Sequence, residues 1–214
     1  MEQVRKIKPT RMSVSGKYMY KGMSIPYEST LERDFLIVQG FLDEVKSIVP
    51  QPVSIQFEKN GRTYPYTPDF FIEYEDSANR KNMIVEVKPE TLWRENWRDW
   101  SNKWKTMQRY CKDNNMVFHI FDESRIRNNA LSNINFLANF KNTHIEKEDI
   151  DAVLGQVNLM GVTTIDYLLT RFYSGKLLRN HGLRVIYHLL YNRKLKFDLF
   201  GDLNEQTEIW VEYE

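Results

Sequence analysis

The chain has 214 residues, enough for one large domain or two small ones. With 28% charged and 42% apolar residues it is too apolar for a disordered protein. No apolar run approaches the roughly 18–20 residues of a membrane span, and the first residues carry no signal-peptide core, so no membrane association is expected. The single cysteine, Cys111, excludes an internal disulfide and a multi-cysteine zinc site, so cytoplasmic residence is expected. Net charge is only +1, but it is unevenly divided. Residues 1–142 hold 22 Lys+Arg against 18 Asp+Glu, a net +4, while residues 143–214 hold 8 against 11, a net −3. If an anionic polymer binds, the first part is the better candidate.

Residues 1–22 carry Arg5, Lys6, Lys8, Arg11, Lys17 and Lys21 against the single acid Glu2, without sustained periodicity. An extended basic arm that touches phosphates and a plain solvated tail fit this pattern equally. Ser29-Thr30-Leu31-Glu32 has the form of a capping box, and Leu31, Phe35, Val38 and Leu42 follow at helical spacing to about residue 45. Pro50 and Pro52 then break the chain. A strand is expected over 53–57, a hairpin turn at Asn60-Gly61, a strand over 64–74, a turn at 76–79 and a strand over 83–88.

Trp93, Trp97, Trp100, Trp104, Met107 and Cys111 recur at steps of 3 and 4, which predicts one amphipathic helix over 92–113 with this stripe in the core. Arg94, Arg98 and Lys105 lie off the stripe, where they face either phosphates or water. A further buried strand over 117–121 includes His119, read as a core residue. The order predicts an α/β unit with a mixed sheet over 23–142, its Asn-rich end at 128–142 acting as a bridge. Over 143–214, helices at 147–156, 163–172 and 183–192 precede strands at 195–200 and 207–213. That is the order of a winged-helix domain. Its acidic balance favours protein docking over DNA binding.

The chemistry gathers in Tyr66-Thr67-Pro68-Asp69-Phe70 and in Val85-Glu86-Val87-Lys88-Pro89. Alternate residues of a strand share a face, so Glu86 and Lys88 point the same way. Asp69 heads the neighbouring strand, although Asp is depleted from strands. Two buried carboxylates repel one another unless a cation intervenes, and a hard ion such as Mg²⁺, with Mn²⁺ as substitute, answers that need. A lysine beside them could orient or help deprotonate a water that attacks a phosphodiester, and could offset phosphate charge. Glu32 is either the third residue of a helix cap or a further acidic ligand. Glu73 and Glu75 fall later on the Asp69 strand, where exposure is expected.

Pro68-Asp69 followed by Glu86-Val87-Lys88 resembles the PD-(D/E)xK nuclease superfamily, and hence a restriction-endonuclease-like mixed sheet flanked by helices. With Ser29 to Phe35, Phe118-His119-Ile120-Phe121-Asp122-Glu123 and Thr207-Glu208-Ile209-Trp210, the chain resembles the TnsA family, the endonuclease subunits of heteromeric bacterial transposases, including CRISPR-associated ones. The resemblance implies a Mg²⁺-dependent endonuclease that cuts the 5′ ends of a transposon in double-stranded DNA at the donor site. It implies a DDE-type partner, TnsB, cutting the 3′ ends, and an AAA+ regulator, TnsC, engaged by the C-terminal domain. It implies Glu32, Asp69 and Glu86 as metal ligands and Lys88 as the catalytic lysine, with Glu86 replaced by Gln in some relatives. A stand-alone restriction or repair nuclease, or a non-catalytic module that recruits an AAA+ protein, are the alternatives.

Overall fold

The computed structural model describes residues 1–4 and 14–212. The chain divides into two units, Met1–Arg127 and Asn128–Glu214. In the first unit, strands β1 (Gly16–Tyr20) and β2 (Met23–Tyr27) pair as an antiparallel hairpin. Helix α1 (Thr30–Phe41) follows, then β3 (Val45–Pro50), β4 (Ile55–Lys59), β5 (Arg62–Tyr66), β6 (Phe70–Tyr74) and β7 (Met83–Val87). Helices α2 (Glu90–Glu95) and α3 (Trp97–Asp113) lead to β8 (Val117–Phe121), and α4 (Glu123–Ile126) ends the unit.

The central sheet has the order β3-β6-β7-β8, antiparallel except for the parallel pair β7 and β8. A parallel pair needs a long crossover, and α2 with α3 supplies it. β7 is buried along its whole length, as its near-continuous apolar run requires of a central strand. One face of the sheet, with Phe70, Ile72, Val85 and Val87, packs on Leu31, Phe35 and Leu36 of α1. The Phe35 ring stacks on Phe70 at 5.5 Å and meets Phe121 edge-on at 5.1 Å. The other face, with Phe71 and Ile84, packs on Trp104, Met107 and Cys111 of α3. Each such buried side chain contributes roughly 1.5–3 kcal/mol. The result is the expected fold: a mixed, restriction-endonuclease-like sheet between helices, followed by a helical second part.

Several local expectations shift. Residues 16–27 form a hairpin where an arm was expected over 1–22, and Arg5, Lys6, Lys8 and Arg11 lie outside the described residues. Helix α1 stops at Phe41, and residues 45–50 form a strand that sequence periodicity does not reveal. Asn60 and Gly61 take φ of 52° and 69°, the paired positive values of a type I′ turn, so the predicted β4–β5 hairpin is present. The strand expected over 64–74 breaks at residues 67–69, since β5 pairs with β4 while β6 joins the central sheet. The long helix breaks at Asn96. As a result the tryptophan stripe is only partly core: Trp104 is buried, Trp93 and Trp100 are half-buried, and Trp97 is 48% exposed. His119, read as core, is exposed on β8.

In the second unit α5 (Asn129–Leu137), α6 (Lys147–Met160), β9 (Val162–Thr164), α7 (Ile165–Phe172), α8 (Lys176–Tyr191), β10 (Lys196–Phe197) and β11 (Glu208–Trp210) surround one apolar cluster. Leu137 of α5 is fully buried in that cluster, so residues 128–142 belong to this unit rather than bridging to it. The boundary lies at 127/128, not at 142/143. The strands form a three-stranded antiparallel sheet, β10-β11-β9, with β9 an addition to the expected hairpin. Helix α8 begins earlier than expected and so gains Arg179, which pairs with Asp166 at 2.6 Å and with Glu205. Thr164 caps α7 by accepting the Tyr167 N–H.

Candidate active site

Asp69 stands immediately before β6, where its N–H still bonds Val85 O at 3.0 Å and so fixes it against β7. Its Oδ2 accepts the Val87 N–H at 2.7 Å and meets the Lys88 ammonium at 3.3 Å. Lys88 follows the last residue of β7 and is held by its own N–H bond to Phe121 O at 3.0 Å. Its ammonium lies 3.5 Å from Glu86 Oε1, so one cation bridges two carboxylates. The strand register therefore brings Asp69, Glu86 and Lys88 together, as the period-two alternation predicts.

Glu86 is almost wholly buried in β7. Besides Lys88, its Oε1 meets Lys103 at 3.4 Å, and its Oε2 accepts the Tyr66 hydroxyl at 2.8 Å. The sequence alone assigns no role to Tyr66 or to Lys103. A signal existed for each: Tyr66 stands three residues before Asp69, and Lys103 is a cation set between Trp100 and Trp104 of the stripe.

Glu32, on α1, is buried and does cap the helix, though not in the expected form. Its Oε2 accepts the Glu28 N–H at 2.8 Å and its Oε1 the Ser29 hydroxyl at 3.1 Å, while Ser29 Oγ in turn accepts the Glu32 N–H. The same carboxylate lies within electrostatic reach of Asp69 and Lys88. Capping and nearness to the acidic site are thus combined in one residue.

Protonation follows from this crowding. Burial, then the Asp69 charge, pushes the Glu32 carboxyl up to about 7, while the Glu28 N–H and Lys88 pull against that rise. Burial and Asp69 likewise raise Glu86, opposed by Lys88, Lys103 and Tyr66. Burial works against the charge on Lys88, but Asp69, Glu86 and Glu32 outweigh it and hold the ammonium above the usual lysine range. Burial and Glu86 push the Tyr66 hydroxyl well up, so it stays a donor.

All the carboxylate donors are hard oxygens, which suits a divalent cation of the Mg²⁺ type. Among the described residues Asp69 makes its hydrogen bonds through Oδ2 and none through Oδ1. Among the described residues no three His, Cys, Asp or Glu side chains converge tightly enough to hold a metal alone. The residues present fit a divalent cation, which Asp69 would hold.

Two family descriptions match the chain in succession: TnsA-like endonuclease N terminal over residues 42–123, and TnsA endonuclease C terminal over residues 125–199. The chain belongs to the TnsA endonuclease family. No curated protein matches it. The N-terminal match spans Tyr66, Asp69, Glu86, Lys88 and Lys103, whereas Glu32 precedes it, so the site role of Glu32 rests on its surroundings. Membership in the TnsA family makes the chain an endonuclease subunit of a Tn7-like transposase. Among the described residues no helix is long and apolar enough to cross a membrane.

The other candidates lie elsewhere. Glu73 is bound by Ser47 at 2.6 Å and Lys46 at 2.9 Å, and Glu75 faces Lys21 at 3.8 Å, so neither substitutes for Glu32. Arg94 pairs with Glu90 at 2.6 Å and lies over Trp93, while Arg98 and Lys105 are exposed on α3. Asp122 accepts the Trp93 indole N–H at 3.1 Å and caps α4. Glu123 accepts the Glu90 N–H at 2.8 Å and so secures the turn after Lys88.

Proposed function

We propose that this chain is the metal-dependent nuclease subunit that hydrolyses the 5′ ends of a transposon at the donor site in double-stranded DNA. The observation that carries this reading is the convergence of Asp69, Glu86 and Lys88 at the end of β7, in a chain of the TnsA family. Asp69 would hold Mg²⁺, or Mn²⁺ in its place, with Glu86 and Glu32 as further acidic ligands. When bound, the ion supplies charge neutralisation and water activation. Glu86 would join it by giving up its Lys88 contact, and Glu32 by loosening its hold on the α1 cap.

Lys88, held as an ammonium by three carboxylates, donates hydrogen bonds and offsets charge on the phosphate under attack. Lys88 would also orient the attacking water or help deprotonate it. In-line attack by water would leave a 5′-phosphate and a 3′-hydroxyl. No base-reading motif stands out in the sequence. End recognition is therefore assigned to a DDE-type transposase partner, TnsB, and AAA+ regulation, by TnsC, to the second unit. That unit reads as winged-helix-like, since β9 separates α6 from α7 and pairs with β11. Arg94, Arg98 and Lys105, with the basic residues Arg5, Lys6, Lys8 and Arg11, would contact backbone phosphates.

The test is strand cleavage at labelled transposon ends by the full chain, alone and with its partners, in Mg²⁺. Cleavage only in the assembly, and its loss in Asp69→Asn, is the expected result. Robust sequence-specific cutting by the chain alone would favour a stand-alone nuclease. Excision unaffected by Asp69→Asn and Lys88→Met would favour a non-catalytic module.

A further inference from the structure

Lys103 stands outside the motif that joins Asp69, Glu86 and Lys88, yet its ammonium reaches the same carboxylate oxygen. It lies 3.4 Å from Glu86 Oε1, which the Lys88 ammonium also approaches, at 3.5 Å. Its side chain is only 16% exposed. The rings of Tyr66, Trp100 and Trp104 surround it, with centroids at 4.8, 4.7 and 5.4 Å. Ring faces stabilise a cation where water is scarce, so burial of this lysine is supported on several sides. Tyr66 completes the arrangement through Glu86 Oε2 at 2.8 Å. Lys103 also lines a cleft of about 610 Å³ with Phe57, Tyr64, Tyr66 and Trp100.

We propose that Lys103 is a positioning residue: with Tyr66 it clamps Glu86, so that Lys88 is left to serve Asp69 and the scissile phosphate. This assignment rests on the reading of the site as a nuclease centre. Asp69 and Glu86 carry two negative charges, and Lys88 alone would have to satisfy both. A second ammonium on Glu86 Oε1 relieves Lys88 of part of that demand, and the Tyr66 hydroxyl holds the other carboxylate oxygen. A small loss of orientation at reacting groups costs far more than its distance implies.

The decisive experiment is a double-mutant cycle on the metal-free full chain, with Lys103→Met and Glu86→Gln singly and together. Thermal unfolding is followed by tryptophan fluorescence, which reports chiefly on the first unit because Trp93, Trp97, Trp100 and Trp104 lie there. Lys103→Met should lower the midpoint by about 3 °C or more in the wild type and much less beside Glu86→Gln. Additive shifts would overturn the clamp. In the complete transposase assembly Lys103→Met should lower kcat about tenfold with KM for DNA unchanged, and Lys103→Arg should recover most of the rate. Wild-type kcat in Lys103→Met, with Lys88→Met inactive, overturns the proposal and leaves the nuclease reading standing. Wild-type cutting by Lys88→Met and Asp69→Asn as well would sink the nuclease reading itself, and the cycle would still decide the clamp.

Discussion

Asp69 Oδ2 accepts the backbone N–H of Val87 at 2.7 Å, tying the residue before β6 to the end of β7. The bond fixes one carboxylate oxygen, and under the proposed function Oδ1 is the oxygen that would face a cation. An amide at this position would keep the size of the side chain but lose the charge. Asp69→Asn should therefore fold, and should lower cleavage in the assembled transposase by about a thousandfold or more, the loss of several kcal/mol of charge stabilisation. Single-turnover cleavage of labelled ends measures it, and a drop of less than about tenfold would remove Asp69 from the centre of the site.

The Glu32 carboxyl, pushed up to about 7 in the folded state from 4.5, binds its proton more tightly in the folded than in the unfolded chain. Stability from this group is full below the unfolded value and falls as pH rises towards 7. Glu32→Gln does not titrate. The variant should therefore gain on the metal-free wild type by on the order of 3 kcal/mol between the two values. Urea unfolding at several pH values tests it. A constant offset between the two proteins would mean that burial and the Asp69 charge do not raise the Glu32 carboxyl.

Lys88 neutralises a pocket that holds Asp69 and Glu86, with Glu32 close by. Lys88→Met leaves that charge less well paired, at a cost of about 3 kcal/mol in the metal-free protein. Saturating Mn²⁺ should restore the variant more than it stabilises the wild type, because the ion takes over the role of the missing ammonium. Equal stabilisation of both proteins by Mn²⁺ would place the ion elsewhere.

Leu169 is fully buried in the core of the second unit beside Val185 and Ile186. Leu169→Ala should cost about 2–5 kcal/mol through lost burial and the cavity left behind. Hydrogen exchange of the α7 and α8 amides reads this directly. Unchanged protection there would mean that these helices are not held by this cluster.

Much of this protein is written in local spacing. The alternation in β7 puts Glu86 and Lys88 on one face, and Asn60-Gly61 turns the chain between β4 and β5. Ser29 to Glu32 starts α1, and the stripe through Trp104, Met107 and Cys111 seats α3 on the sheet. Such signals rest on periodicity and on preferences of single residues, which need no distant partner. Other features depend on contacts between residues far apart in the chain. β3 becomes a strand because β6 accepts it as a neighbour, and the break at residues 67–69 exists because β5 and β6 join different sheets. Trp97 is exposed because α2 and α3 part at Asn96. Tyr66 and Lys103 meet on Glu86 only once the sheet has been covered by α3. Glu32 comes near Asp69 only when α1 covers the other face. Residue spacing sets which side chains share a face, whereas the pairing of strands and the packing of helices set what each face meets.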